Sequence, residues 1–168
     1  MKEYYLKIIE SKRKHGLLID TNLLLLLFIG TYELSLIQRF KRTAQFSEDD
    51  FFLLKNIISQ FPKIYTTPSI LTEVSNLSNQ LPNKMKEEYY SVFAKQLEFL
   101  EETHISSISL SNKREFLKFG LTDASIVTIA QNQSVVITVD FPLANYLGGL
   151  GLSIINFNHI RGLVWFGK

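Results

Sequence analysis

The sequence predicts an α/β domain built on a central, mainly parallel sheet with helices packed against it. Two apolar runs without polar alternation, residues 16–19 and 134–139, have the character of strands buried on both faces. Segments of helical spacing lie between and around them, so helix and strand patterns alternate along the chain. No repeat, composition shift or Pro/Gly-rich linker divides the 168 residues, so 1–168 is expected to form a single domain. With 46% hydrophobic and 20% charged residues, disorder, collagen and coiled coil are poor descriptions.

Residues 2–11 place Tyr5, Ile8 and Ile9 at helical spacing, as a short N-terminal helix. The first strand, 16–19, ends at Asp20. Thr21 and Asn22 open a helix through the apolar stretch 23–29, which is expected to be core and to stop near Gly30. Residues 31–60 form a helical insertion. Within it Ser47 is an N-cap, with Asp50 where a capping box would place Glu or Gln. Phe61 and Pro62 end that helix. Residues 63–66 are a short strand, and Pro68 suits the first position of a helix to about residue 77, which carries Glu73. A charged amphipathic helix is expected over about 82–103, its apolar spacing at Val92, Phe93, Leu97 and Leu100. Residues 104–108 are a further strand candidate. Helices follow near 113–119 and over 122–132, then the strand 134–139, which ends at Asp140. A short helix over about 142–147 and a strand at 152–155 complete the pattern, leaving Trp165 and Phe166 to pack on the core or on a partner.

Several chemistries are excluded early. The chain has no cysteine, so disulfide frameworks, thiolate zinc sites and a cysteine nucleophile are ruled out. His15, His104 and His159 are far apart without metal-ligand spacing, which suits structural or surface roles. Gly148-Gly149-Leu150-Gly151 precedes a strand instead of joining a strand to a helix, so it is a turn and not a phosphate loop. No nucleophile elbow is present. The longest apolar stretch, seven residues at 23–29, is far short of the about 20 that a membrane-spanning helix needs. The first ten residues are charged and amphipathic, unlike a signal peptide, so a soluble, unexported, cytoplasmic protein is expected.

Four acids share one kind of position. Asp20 and Asp140 each follow the end of a buried strand, Asp123 opens a helix leading into the second of those strands, and Glu73 lies on the helix after the 63–66 strand. Open parallel sheets bind ligands beyond the carboxyl ends of their strands. Asp20 and Asp140 meet there if their strands are neighbours. Carboxylates gathered closely repel, and a hard divalent cation such as Mg²⁺ or Mn²⁺, which prefers oxygen ligands, removes that cost. The chain carries 18 Lys and Arg against 16 Asp and Glu, a net +2; without these four acids the balance is 18 against 12. An acidic pocket on a mildly basic shell suits a phosphodiester polyanion. Taken singly, each acid also fits a plainer role: Asp20, Asp123 and Asp140 as helix caps or turn residues, Glu73 as a solvated helix residue.

In four blocks, Leu18-Ile-Asp-Thr-Asn-Leu23, Pro68-Ser-Ile-Leu-Thr-Glu-Val74, Leu121-Thr-Asp-Ala-Ser-Ile126 and Val136-Ile-Thr-Val-Asp140, the chain resembles the PIN domain family. These are metal-dependent ribonucleases that include many toxins of bacterial toxin–antitoxin pairs. The blocks fall in the family's order across residues 16–157. The resemblance implies a three-layer PIN-like fold, with Asp20, Glu73, Asp123 and Asp140 as the catalytic and metal-holding acids and Asn22 and Thr138 in support. It implies one or two Mg²⁺ or Mn²⁺ ions, RNA as substrate, and 5′-phosphate and 3′-hydroxyl products. It also implies an antitoxin that occupies the site and a homodimer as partner states. Two features depart from the family. The turn after Asp140, Phe141-Pro-Leu-Ala144, is apolar and offers no fifth ligand, and the 31–60 segment, which often forms an arm or clamp, is long. Near it, Arg39, Lys41 and Arg42 are candidates for holding RNA phosphates, or else a solvated helix face. Two rival functions stand beside the ribonuclease: a metal- or RNA-binding module without turnover, and a nuclease for structured DNA. Small size and modest charge weigh against the latter.

Overall fold

Two strands, β1 (Leu17–Ile19) and β4 (Val135–Thr138), form the centre of the sheet, and every residue in them is buried. The structure is a computed structural model that describes residues 2–132 and 134–165; side chains are described for 3–132 and 134–162. The sheet has five parallel strands in the order β3-β2-β1-β4-β5, completed by β2 (Ile64–Thr66), β3 (Glu101–Glu102) and β5 (Ile154–Asn156). Burial of β1 and β4 on both faces requires helices on both sides, which makes this an α/β three-layer architecture. β1 and β4 run side by side in register, Leu17 opposite Val135 and Ile19 opposite Ile137. After β1 the chain builds outward to β2 and β3, then returns to place β4 on the other side of β1. The order therefore reverses between β1 and β4, where such sheets have their binding crevice.

α1 (Lys2–Lys12) is followed by a short 3₁₀ turn, and Tyr5 anchors it by a 2.9 Å hydrogen bond to His159 Nδ1. α2 (Thr21–Tyr32) is apolar nearly all round and lies in the core, with Leu23, Leu24, Leu25, Leu26, Phe28 and Ile29 almost inaccessible. It does not stop at Gly30. The glycine is inside the helix because a later helix, α4 (Glu48–Ile58), crosses there: a Cβ at Gly30 would lie 2.7 Å from Phe51 Cε2 and 3.0 Å from Ile37 Cδ1. The glycine thus serves close packing instead of helix termination.

The insertion folds as α3 (Leu36–Arg39) and α4 (Glu48–Ile58), and Ile37, Phe51, Leu54 and Ile57 join the core. It is a packed part of the domain. Ser47 and Asp50 form the full capping box, with aspartate in the glutamate's place, and Asp50 also pairs with Arg161 at 3.4 Å.

α5 (Pro68–Ser78) starts at Pro68 with Thr67 as N-cap. α6 (Asn83–Leu97) ends earlier than its apolar pattern suggests. Its buried side is Tyr89 and Phe93, with Phe93 edge-on to Phe28, whereas Leu97 is 38% exposed. The chain then turns to form β3 at Glu101–Glu102, while the 104–108 strand candidate is instead a loop leading into α7 (Ser107–Ser111). α8 (Arg114–Gln131) is two helical segments meeting at Gly120, whose φ of +84° breaks the helix as the two-helix expectation requires. α9 (Phe141–Gly149) follows β4, and α10 (Phe157–Trp165), which the sequence pattern did not suggest, follows β5. The packing of Trp165 and Phe166 lies outside the described residues. No helix among the described residues is long and apolar enough to cross a membrane.

Gly30→Ala is expected to lower stability by about 1–3 kcal/mol, the usual cost of overpacking, measured as a fall in melting temperature. Phe51→Leu in the same chain should recover part of it. An unchanged melting temperature would show that α4 can back away without cost.

Candidate functional site

The β1/β4 junction positions the acids. Asp20 follows β1 directly, and its backbone N–H donates to Ile137 O at 3.1 Å, extending the sheet by one bond. The residue is 4% exposed. Oδ1 accepts from Leu23 N at 2.8 Å, which makes Asp20 the N-cap of α2. Oδ2 accepts from the Thr138 hydroxyl and from Val139 N at 2.9 Å. Burial pushes the Asp20 carboxyl upward, against the pull of those three donors.

Thr138 is fully buried and works twice. Its hydroxyl donates to Asp20 and accepts from Asp140 N at 2.9 Å, so one side chain links both acids. Asp140 in turn caps α9 through Oδ1, which accepts from Leu143 N at 2.7 Å. The supporting role expected of Thr138 thus has a concrete form. Asn22 is exposed in the first turn of α2 and touches none of the acids by hydrogen bonding.

Glu73 projects from the middle of α5 and is exposed, but both carboxylate oxygens are held. Oε2 accepts from Thr21 at 2.9 Å and Oε1 from Thr122 at 2.8 Å. These threonines tie α5 to the starts of α2 and of the second α8 segment. Neither was singled out from the sequence as a glutamate partner. The available signal was that each sits directly beside one of the four acids.

Asp123 differs from the other three. It is half-buried, and its carboxylate accepts no hydrogen bond among the described residues. Burial, followed by Asp140, Glu73 and Asp20, pushes its pKa up to about 7. All four sequence-predicted acids therefore share one electrostatic environment. The donors are all oxygen, the kind a hard divalent cation prefers. Their arrangement is not a finished chelate: among the described residues no group of three or more His, Asp or Glu side chains is set to hold a metal ion. An ion would have to draw these side chains together.

The candidate phosphate-binding residues lie elsewhere. Arg39 pairs with Glu33, and Arg42 Nε donates to Gln80 Oε1 at 2.8 Å. Lys41 is exposed, with no ion pair among the described residues. None of the three contacts an acid of the group. Compared with known proteins, the chain matches no family model, no curated protein and no solved structure.

Asp123 sets the sign of a pH effect. Folding raises its pKa from 3.8 to about 7, so across that window the folded chain holds a proton the unfolded chain has released. Metal-free stability should therefore fall as the pH rises from about 4 to about 7 and lose nothing more to this group above that. Asp123→Asn removes the repulsion and should raise the neutral-pH melting temperature, by about 2–4 °C for each kcal/mol relieved in a chain of this size. Thermal melts of the wild type and the variant at pH 5 and 7.5 check both statements. A variant no more stable at pH 7.5 would mean that Asp123 acts only as a local helix residue.

Proposed function

We propose that this chain is a PIN-type endoribonuclease that hydrolyses RNA phosphodiesters with Mg²⁺ or Mn²⁺, one ion or two. Asp20, Glu73, Asp123 and Asp140 are its catalytic group. The observation that carries the proposal is Asp123, a half-buried carboxylate without a hydrogen-bond donor among the described residues, raised to about 7 by burial and by three other acids at the switch point of a parallel sheet. Perturbed titration in such a crevice is a mark of functional sites.

The residues divide the work. Thr138 and the Val139 N–H hold Asp20 Oδ2, while Thr21 and Thr122 hold Glu73, so these two acids are orientated before anything binds. Asp123 and the second oxygen of Asp140 accept no hydrogen bond among the described residues, which makes them the acids best placed to take an ion. A bound divalent cation supplies charge neutralisation, a more acidic water and polarisation of the scissile phosphate. The surplus of basic residues outside the group favours an approaching polyanion. If the chain is the toxin of a toxin–antitoxin pair, a small antitoxin would occupy this site, and a second copy of the chain would be a further partner.

One observation favours a second reading, a binding module without turnover. Asp20 and Asp140 both cap helices, and Glu73 is fully engaged by threonines, so three of the acids already have structural work.

Cleavage of a panel of RNAs and single-stranded DNA, with Mn²⁺ and with Mg²⁺, separates the two. Wild type should cut RNA, and a chelator should abolish the cut. Asp20→Asn and Asp140→Asn should each lose several orders of magnitude with an unchanged circular dichroism spectrum, because asparagine keeps either helix cap; at Asp20 its amide nitrogen would face the Val139 N–H, so a lower melting temperature is expected there. Metal binding by the wild type without cleavage of any substrate would favour the binding module. Cleavage that survives the chelator would overturn the metal-dependent proposal.

A further inference from the structure

A cavity of about 390 Å³ opens beside the acidic group, between the first turns of α5, α7 and the second segment of α8. Part of its wall is apolar, from Pro68, Ile105 and Leu110. Its polar lining is made of hydroxyls. Thr67 Oγ1 and Ser69 Oγ lie 2.9 Å apart, and each also reaches Ser125 Oγ, at 3.2 and 3.3 Å. The hydroxyls of Thr72 and Ser107 have no partner among the described residues. Glu73 belongs to both the cavity and the acidic group, and Thr122, which donates to it, also lines the cavity, so the two spaces share a wall.

The lining narrows the chemistry of the occupant. Among the described residues no Lys, Arg or His faces the cavity, and Glu73 puts an acid at its rim, so it is no place for a phosphate. Its volume falls within the about 300–1,000 Å³ typical of small-ligand sites and excludes a duplex. Apolar walls suit the faces of a flat heterocycle. Serine and threonine hydroxyls both donate and accept, which suits its polar edge.

We propose that this cavity receives one nucleobase of the RNA strand whose phosphodiester lies at the acidic group. The choice of a nucleobase as occupant rests on the ribonuclease reading. The cavity then acts as a base-selecting subsite one wall away from the chemistry, where the strand is single-stranded and its bases can turn out.

The test is a binding experiment that does not depend on cleavage. The full chain is titrated with AMP, CMP, GMP and UMP in the presence of EDTA, following the amide resonances of Ser69, Ser107 and Leu110. Inorganic phosphate serves as the control. Saturable shifts at these amides are expected with at least one nucleotide and none with phosphate. Ser107→Trp, which fills the mouth from an exposed position, should weaken that binding at least about tenfold. Thr72→Leu, on a different element, provides a second variant should the first disturb the fold. Shifts absent from these amides, unchanged in both variants, or reproduced by phosphate alone would overturn the subsite. The same variants in the cleavage assay should raise KM or flatten base preference while kcat is kept. RNA cleavage with a silent cavity would overturn the subsite alone. A filled cavity without cleavage would support the subsite and count against the ribonuclease.

Discussion

One carboxylate joins the elements on which the site depends. Asp20 ends β1, caps α2 with one oxygen, and with the other accepts from Thr138 and Val139 at the end of β4. The two central strands are thereby fastened at their carboxyl ends and the direction of the following helix is set. Removing such a group from a buried position strands its donors, a loss of about 1–3 kcal/mol for each one left unpaired. The opening of the crevice, the course of the chain into α9 and the position of Asp140 all follow from this tie.

The same arrangement creates tension. Ordering Asp20 and Asp140 at the switch point, with Glu73 brought in by two threonines, leaves Asp123 beside three other acids with no donor of its own among the described residues. Protonating a carboxyl near neutral pH relieves that. In the proposed function a divalent cation would relieve it without a proton, and that gain in charge balance would be the physical basis of the activity. The threonines beside the acids show how the fold tolerates the crowding. Thr138 gives a hydrogen bond to buried Asp20, and Thr21 and Thr122 hold exposed Glu73 in place.

Much of this was legible in the sequence, for identifiable reasons. β1 is a continuous apolar run that leads directly into Asp20, and β4, apolar up to Thr138, stops two residues short of Asp140, so strand pattern and following acid pointed to the same sheet edge. The capping box at Ser47 and Pro68 at the start of α5 are local signals that tertiary packing had no cause to override. Other features were not legible. β3 is two exposed glutamates pairing with Tyr65 and Thr66 at the sheet edge, and a charged edge strand has no apolar pattern to read. The spacing of Leu97 and Leu100 runs on past the end of α6, which made that helix look longer than it is. Gly30 reads as a stop in one dimension; only the approach of Phe51, twenty-one residues away, makes it a packing residue. The acidic group itself was visible as four positions, but its threonine partners join elements about fifty residues apart, which no local pattern reports.

The central claim is that these four acids form one electrostatic unit that a divalent cation discharges. Titrating the side-chain carboxyl of Asp123 by ¹³C chemical shift, with and without Mg²⁺, tests it most directly. The account predicts a midpoint of about 7 in the metal-free protein, falling well below the ordinary carboxylate range once Mg²⁺ is added. A midpoint near 4 that Mg²⁺ does not move would mean that Asp123 is an isolated acid and that the four carboxylates do not act together.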